Sequence, residues 1–157
     1  MVDGIDELVN KLNEMINLDD VVKKAVKNGC KVVQAEAKLL CPVDKGELRN
    51  SIRTKVDNTG DKIVGTIYTN KSYASYVEFG TGPKGEADHD GISPNITPSY
   101  KSKGWSYYDK EKDKYIHTRG QPAQPYMYPA LHNNIDRAKA SIARKVKKSI
   151  KDMIKQC

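Results

Sequence analysis

Apolar residues recur at three- and four-residue spacing over the first forty positions. From Gly4 to Met15 they are Ile5, Leu8, Val9, Leu12 and Met15, a narrow stripe that predicts a helix. "NLDD" then offers cap-type side chains, so a second, longer helix is predicted over about 18–40, with Val22, Ala25, Val26, Val33, Ala37 and Leu40 on its stripe. Gly29 falls within that stripe and weakens such a helix by about 1 kcal/mol relative to Ala unless a neighbour packs on it. Pro42 ends the run. The period then changes. "ELRNSIRTKV" alternates, sending Leu48, Ile52 and Val56 one way and Arg49, Arg53 and Lys55 the other. "KIVGTIYT" is rich in β-branched residues, and "DNTGD" between the two predicts an antiparallel hairpin with one charged face.

After "SYASYVEFG" the pattern dissolves. Residues 82–104 hold four glycines and three prolines among polar side chains, which predicts a long irregular loop. "GWSYYDKEKDKYIHTRG" predicts a shorter hairpin with the charged tip "DKEKDK". "QPAQPYMYPAL" follows, and from Pro129 an amphipathic helix is predicted with Ile135, Ala138, Ile142, Val146, Ile150 and Met153 on one stripe. Helices, then strands, then a helix, without βαβ alternation, indicate an α+β fold. The expected architecture is N-terminal helices, an antiparallel sheet carrying a flexible loop and hairpin insertion over 82–118, and a C-terminal helix packed on the sheet. A chain of 157 residues is sized for one domain.

Charge changes this picture in one place. The net charge is +7. From Pro129 onward Arg137, Lys139, Arg144, Lys145, Lys147, Lys148, Lys151 and Lys155 oppose only Asp136 and Asp152, so this segment carries +6 of it. Such a helix can meet nucleic-acid phosphates, though a solvated face is the plainer reading. It has no aromatic residue for base stacking. Nine tyrosines against one Phe and one Trp favour half-buried surfaces that a partner can cover. No apolar run is long enough for a membrane span, and "MVDGIDELVNKL" lacks a signal-peptide core. Cys30, Cys41 and Cys157 form no CxxC; two small buried hydrophobes and a terminal thiol, in a reducing cytoplasm, are expected.

Catalytic chemistry finds little support. Gly80-Thr81-Gly82-Pro83-Lys84-Gly85 satisfies G-x-G-x-x-G, but no βαβ unit surrounds it and Pro83 removes an amide, so no dinucleotide or other cofactor is expected. His89 between Asp88 and Asp90 lacks the further ligands a metal needs, and no metal is expected. Neither His117 nor His132 belongs to a recognisable set of nucleophile, base and acid. Glu78 sits among Tyr76, Val77 and Phe79, the setting of a general acid. It has no second carboxylate, and is read as a structural or interface hydrogen-bond acceptor; an enzyme using Glu78 and His117 is the weakest alternative.

Four segments in order, "GIDEL", "AKLLCPVDKGELRNSI", "YASYVEFGTG" and "GQPAQPYMYPAL", closely resemble the tail-completion, or head–tail joining, proteins of long-tailed bacteriophages and prophages, the gene-product-ten-like family. The matching positions are Pro42, Asp44, Gly46, Leu48 and Ser51; Tyr73, Ala74, Tyr76, Glu78, Phe79, Gly80 and Thr81; and Gln121, Pro122, Ala123, Pro125, Tyr126, Pro129 and Ala130. Tyr126 stands where such proteins often have Phe, and Ser75 where Pro is common. The resemblance implies a structural, non-enzymatic subunit of the neck or upper tail. It would assemble in the host cytoplasm as a homo-oligomeric ring, a hexamer, and bind neighbouring neck and tail proteins. Contact with DNA in transit would be incidental, and no membrane is involved. The alternative from a different class is a nucleic-acid-binding module using Arg144, Lys147, Lys148 and Lys151.

Physical roles follow for the motif residues. Gly46 relaxes the turn before the first strand, and Asp44 is expected to cap it. Gly80 and Gly82 permit a sharp reversal after "YVEF", with Tyr76 and Phe79 docking inward. The face with Arg49, Arg53 and Lys55, and the tips near Tyr73 and Tyr126, are expected to matter less for folding than Leu48 and Ile52 and are candidates for a ring interface. Pro122 and Pro125 hold an extended approach to the last helix, and Pro129 suits its first turn.

Overall fold

The computed structural model describes residues 3–88 and 90–155, with side-chain surroundings from Leu18 onward except at Ile154. The side chains of the stripe Ile5 to Met15, and His89 and Cys157, lie outside the described residues. In chain order the elements are α1 (Asp3–Leu40), α2 (Glu47–Ser51), β1 (Arg53–Thr59), β2 (Lys62–Tyr68), α3 (Ala74–Phe79), α4 (Gly82–Ala87), β3 (Trp105–Asp109), β4 (Lys114–Thr118), α5 (Met127–His132) and α6 (Ile135–Ile154). This is an α+β protein with two two-stranded sheets and a C-terminal helix.

The chain divides into two compact units. The first takes residues up to Gln34, Thr54–Ile67 and Asn134 onward. Here β1 and β2 pair across a turn at Gly60-Asp61, where Gly60 has φ 59°; so tight a connection makes the pair antiparallel. Gly29 answers the condition set on it. A Cβ there would lie 2.7 Å from the Ile142 side chain and 3.2 Å from the Ala138 carbonyl, so α6 crosses α1 where α1 has no side chain. Gly65 of β2 similarly faces Val26 and Cys30 of α1. Among the described residues of this unit, Ala25, Cys30, Val33 and Ala138 are the buried apolar ones.

The second unit takes Ala35–Arg53 and Tyr68–Asn133. Among its described residues the buried apolar ones are Ala37, Cys41, Leu48, Ile52, Ala74, Tyr126 and Ala130, with Tyr126 and Ile52 the largest side chains fully enclosed. The β3–β4 hairpin forms as the sequence predicts, in a register that sets Trp105 opposite Thr118, Tyr107 opposite Ile116 and Asp109 opposite Lys114.

Four local expectations are corrected. α1 is one continuous helix, because "NLDD" contains cap-type side chains but neither Gly nor Pro to stop propagation. "ELRNS" is a helical turn rather than the start of the strand. Gly46, in the left-handed region at φ 76°, starts it, and the Asn50 N–H donates to the Gly46 carbonyl. Leu48 and Ile52 misled because a spacing of four keeps two residues on one face in both periods. Residues 82–87 form α4 instead of irregular loop. The final helix is broken at Asn133-Asn134, which leaves Pro129 in the first turn of the short α5.

Candidate functional site

On α3, Ala74 and Glu78 lie four residues apart and are the buried pair, so the helix turns its carboxylate inward. Glu78 is only 6% exposed. Its Oε2 accepts the N–H groups of Tyr126 and Met127 at 2.8 and 2.9 Å, and its Oε1 accepts that of Tyr128 at 3.0 Å. These are the N–H groups at the start of α5, which have no partner within their own helix. Glu78 is a long-range cap, holding residues 48 to 50 positions away. All three donors are backbone groups, so the carboxylate is committed to structure.

Tyr126 is 1% exposed and belongs to the core, not to an interface tip. Burial pushes its phenol pKa well up, and the neighbouring Cys41, Glu78 and Tyr73 add to the effect. Burial also raises the thiols of Cys30 and Cys41, both free. Tyr76 is the opposite case. It does not dock, remaining 59% exposed, while Phe79 is half-buried.

The three glycines of the fingerprint pattern are packing devices. A Cβ on Gly80 would stand 2.6 Å from the Gly85 Cα and 2.7 Å from the Ala123 nitrogen; on Gly82, 2.7 Å from the Arg119 carbonyl oxygen; on Gly85, 2.6 Å from the Gly80 carbonyl carbon. Gly80 and Gly82 also have φ of 72° and 60°. Backbone therefore lies directly on backbone. The strap at 119–124 is bonded in place: Thr81 N–H donates to the Gln121 carbonyl at 2.9 Å, and Gln121 N–H returns to Thr81 at 3.2 Å. Gln124 N–H donates to the Val77 carbonyl at 2.8 Å, and Gln121 Nε2 to that of Tyr76 at 2.8 Å. Three of the amides a phosphate would use are engaged. Thr81, Lys84 and Gly85 all donate to protein carbonyls, and Pro83 has no N–H.

The sequence reading missed two ties. Tyr100 donates its hydroxyl to the Phe79 carbonyl at 2.7 Å and packs against Gly85. Ser51 Oγ donates to the Leu48 carbonyl at 2.7 Å and meets Thr69 Oγ1 at 2.5 Å. No spacing signal marks Tyr100 or Thr69. Asp44 does not cap α2, whose N-cap is Gly46 with no side-chain hydrogen bond. Glu47 instead pairs with Lys71 at 2.6 Å, on the surface, where the ammonium holds the carboxyl below its usual range.

Three motif segments, far apart in the chain, line one open cleft of about 450 Å³. Pro42, Asp44, Gly46 and Leu48 come from the first, Tyr73 and Val77 from the second, Gln121 and Gln124 from the third. Val43 (54% exposed) and Tyr73 (40%) give it uncovered apolar surface. Arg49 and Arg53 are exposed. Pro122 is exposed and Pro125 half-buried along the strap. His117 lies on the exposed face of β4 beside Ser106 Oγ (3.2 Å), while Glu78 is engaged at α5. Arg144, Lys147, Lys148 and Lys151 are exposed on α6.

The class these features define is a small α+β protein in which the buried carboxylate of Glu78 holds the protein's own backbone and each of three motif segments contributes residues to one open cleft. Residues 4–80 match the family described as "Bacteriophage HK97-gp10, putative tail-component". Over that span, just under half of the chain, the protein is similar to this HK97-gp10-like family, which is described as a tail component of a bacteriophage. The match ends at Gly80, so the strap at 119–124 and α5 lie outside it. No curated protein and no solved structure matches the chain. Among the described residues, no helix is long and apolar enough to cross a membrane.

Proposed function

We propose that the protein is a structural subunit of the virion neck or upper tail, forming a ring with copies of itself and joining tail to head without catalytic turnover. The observation that carries this reading is the convergence of the three motif segments on one cleft with exposed apolar and aromatic edges. A closed ring needs two different patches that meet head to tail. The cleft supplies a concave patch, with Arg49 and Arg53 as charged surface on the same segment. The ring would contain six copies, as the resemblance implies. Its other partners would be the adjacent neck and tail proteins, and assembly would occur in the host cytoplasm.

The test combines mass photometry of the pure protein with virion assembly in the host. Wild type should give a discrete ring mass, alone or with a neighbouring tail protein, and tailed particles. Arg49→Glu/Arg53→Glu should keep wild-type thermal unfolding yet fail in tail attachment, because like charges across an interface cost several kcal/mol. Infectious, fully tailed particles lacking this protein would overturn the proposal.

A further inference from the structure

The cations of α6 are not spread evenly around it. At 3.6 residues per turn, Arg144, Lys148, Lys151 and Lys155 fall within about 60° of arc along about 17 Å of helix. All four are exposed, and none has an ion-pair partner among the described residues. Arg137 extends the row toward Asn134, whose Oδ1 it meets at 2.8 Å. The ion pair Lys139–Asp136, at 3.7 Å, lies off the row. On the opposite side of the helix are Ala138 and Ile142, which pack on α1 at Gly29. The helix dipole favours cations in the last turn only, which accounts for Lys151 and Lys155 and leaves Arg144 and Lys148 unexplained.

We propose that this row is a docking surface for the phosphate backbone of duplex DNA. A line of unpaired point charges matches a regular polyanion, in which one strand presents a phosphate about every 3.4 Å. Protein interfaces are depleted in Lys and centred on aromatic and apolar anchors, and the row contains no such anchor. Membrane surfaces are bound by inserting an apolar helix face. The middle of that face of α6 packs on α1 at Gly29 through Ile142, and of its described large apolar side chains only Ile135 and Ile150 are exposed, at 43% and 37%, on a side of the helix away from the cation row. With no aromatic residue on α6, single strands find nothing to stack on. The surface is independent of ring formation, so its failure would leave the tail role standing.

The experiment is fluorescence anisotropy of a labelled 30-base-pair duplex titrated with the full chain at 50 to 200 mM NaCl. Four phosphate contacts predict a log–log salt slope of about −3.6, or a weakening of about 150-fold over that range. Arg144→Gln/Lys148→Gln/Lys151→Gln/Lys155→Gln should weaken binding at 50 mM by about 100-fold and flatten the slope. Lys101→Gln/Lys103→Gln/Lys110→Gln/Lys112→Gln removes the same charge from exposed sites elsewhere and should stay within about threefold of wild type. Circular dichroism melting confirms that both variants are folded. Equal losses in the two variants, or a slope shallower than about −1, would overturn the proposal. So would tighter binding to single strands or to anionic vesicles, or competition by polyglutamate as effective as by unlabelled duplex.

Discussion

Glu78 offers the sharpest test, since one side chain terminates three backbone donors. Glu78→Ala removes every acceptor. Hydrogen bonds to a charged group contribute about 1.5–3 kcal/mol each, and a buried donor left unpaired costs about 1–3 kcal/mol. Only the Tyr126 N–H is fully buried; those of Met127 and Tyr128 are partly exposed, and water recovers most of their loss. The expected destabilisation is therefore about 3–5 kcal/mol, a large share of the roughly 5–15 kcal/mol that holds a domain. Glu78→Gln should lose less, about 1–3 kcal/mol. Its one oxygen can serve Tyr126 and Met127 as Oε2 does, while its NH2 faces the Tyr128 N–H. The readout is built in. Trp105 is the only tryptophan and lies in the same unit, against Gly82, so its fluorescence follows this unit in urea. With a slope of about 1.5 kcal/mol/M, the Glu78→Ala midpoint falls by about 2–3 M. The surface pair provides the control, with Glu47→Gln expected to unfold at the wild-type urea midpoint. The order should be Glu47→Gln, Glu78→Gln, Glu78→Ala, and it should survive 0.5 M NaCl because buried contacts are weakly screened. If both Glu78 variants unfold with Glu47→Gln, the cap does not hold α5.

Other outcomes follow from the same geometry. Gly80→Ala should prevent folding or cost several kcal/mol, because backbone atoms cannot yield, whereas Gly60→Ala, with nothing within 4 Å, should cost only about 1–2 kcal/mol for its left-handed φ; equal stabilities by urea titration would contradict the packing account. Ile52→Ala, at a site 1% exposed, should lose about 2–5 kcal/mol in the same assay, and a loss below about 1 kcal/mol would remove it from the core. For Tyr126 the folded pKa is raised, so its stabilising contribution is complete below the unfolded value near about 10 and is lost as pH climbs toward the folded value. Tyr126→Phe should keep wild-type stability at pH 7 and decline less between about pH 9.5 and 11; an unchanged alkaline profile would sink the assignment.

What the sequence displayed, and what it hid, divides by how far away the cause lies. The β3–β4 hairpin was legible because strand-forming aromatics and a charged turn lie within fourteen residues, Trp105 to Thr118. The C-terminal stripe was legible because helical periodicity is local. The Leu48–Ile52 segment was misread because four-residue spacing fits two periods, and what decides is Gly46 starting a turn and Ser51 finding Thr69 eighteen residues on. "YVEF" gave the wrong inward face because its cause also lies far along the chain. Residue type favours burying Tyr76, yet Glu78 is buried because the unpaired amides at 126–128 require an acceptor. The glycines at 80, 82 and 85 imitate a phosphate loop because both uses require an absent Cβ, and only the strap at 119–123 distinguishes them. "YASYVEFGTG" and "GQPAQPYMYPAL" are therefore two sides of one clasp. Gln121 closes the end of α3, Glu78 closes the start of α5, and Gly80 lets the two chains touch. Neither segment can satisfy its backbone alone, so a compensated change in one should require a change in the other, although the family match covers only the first.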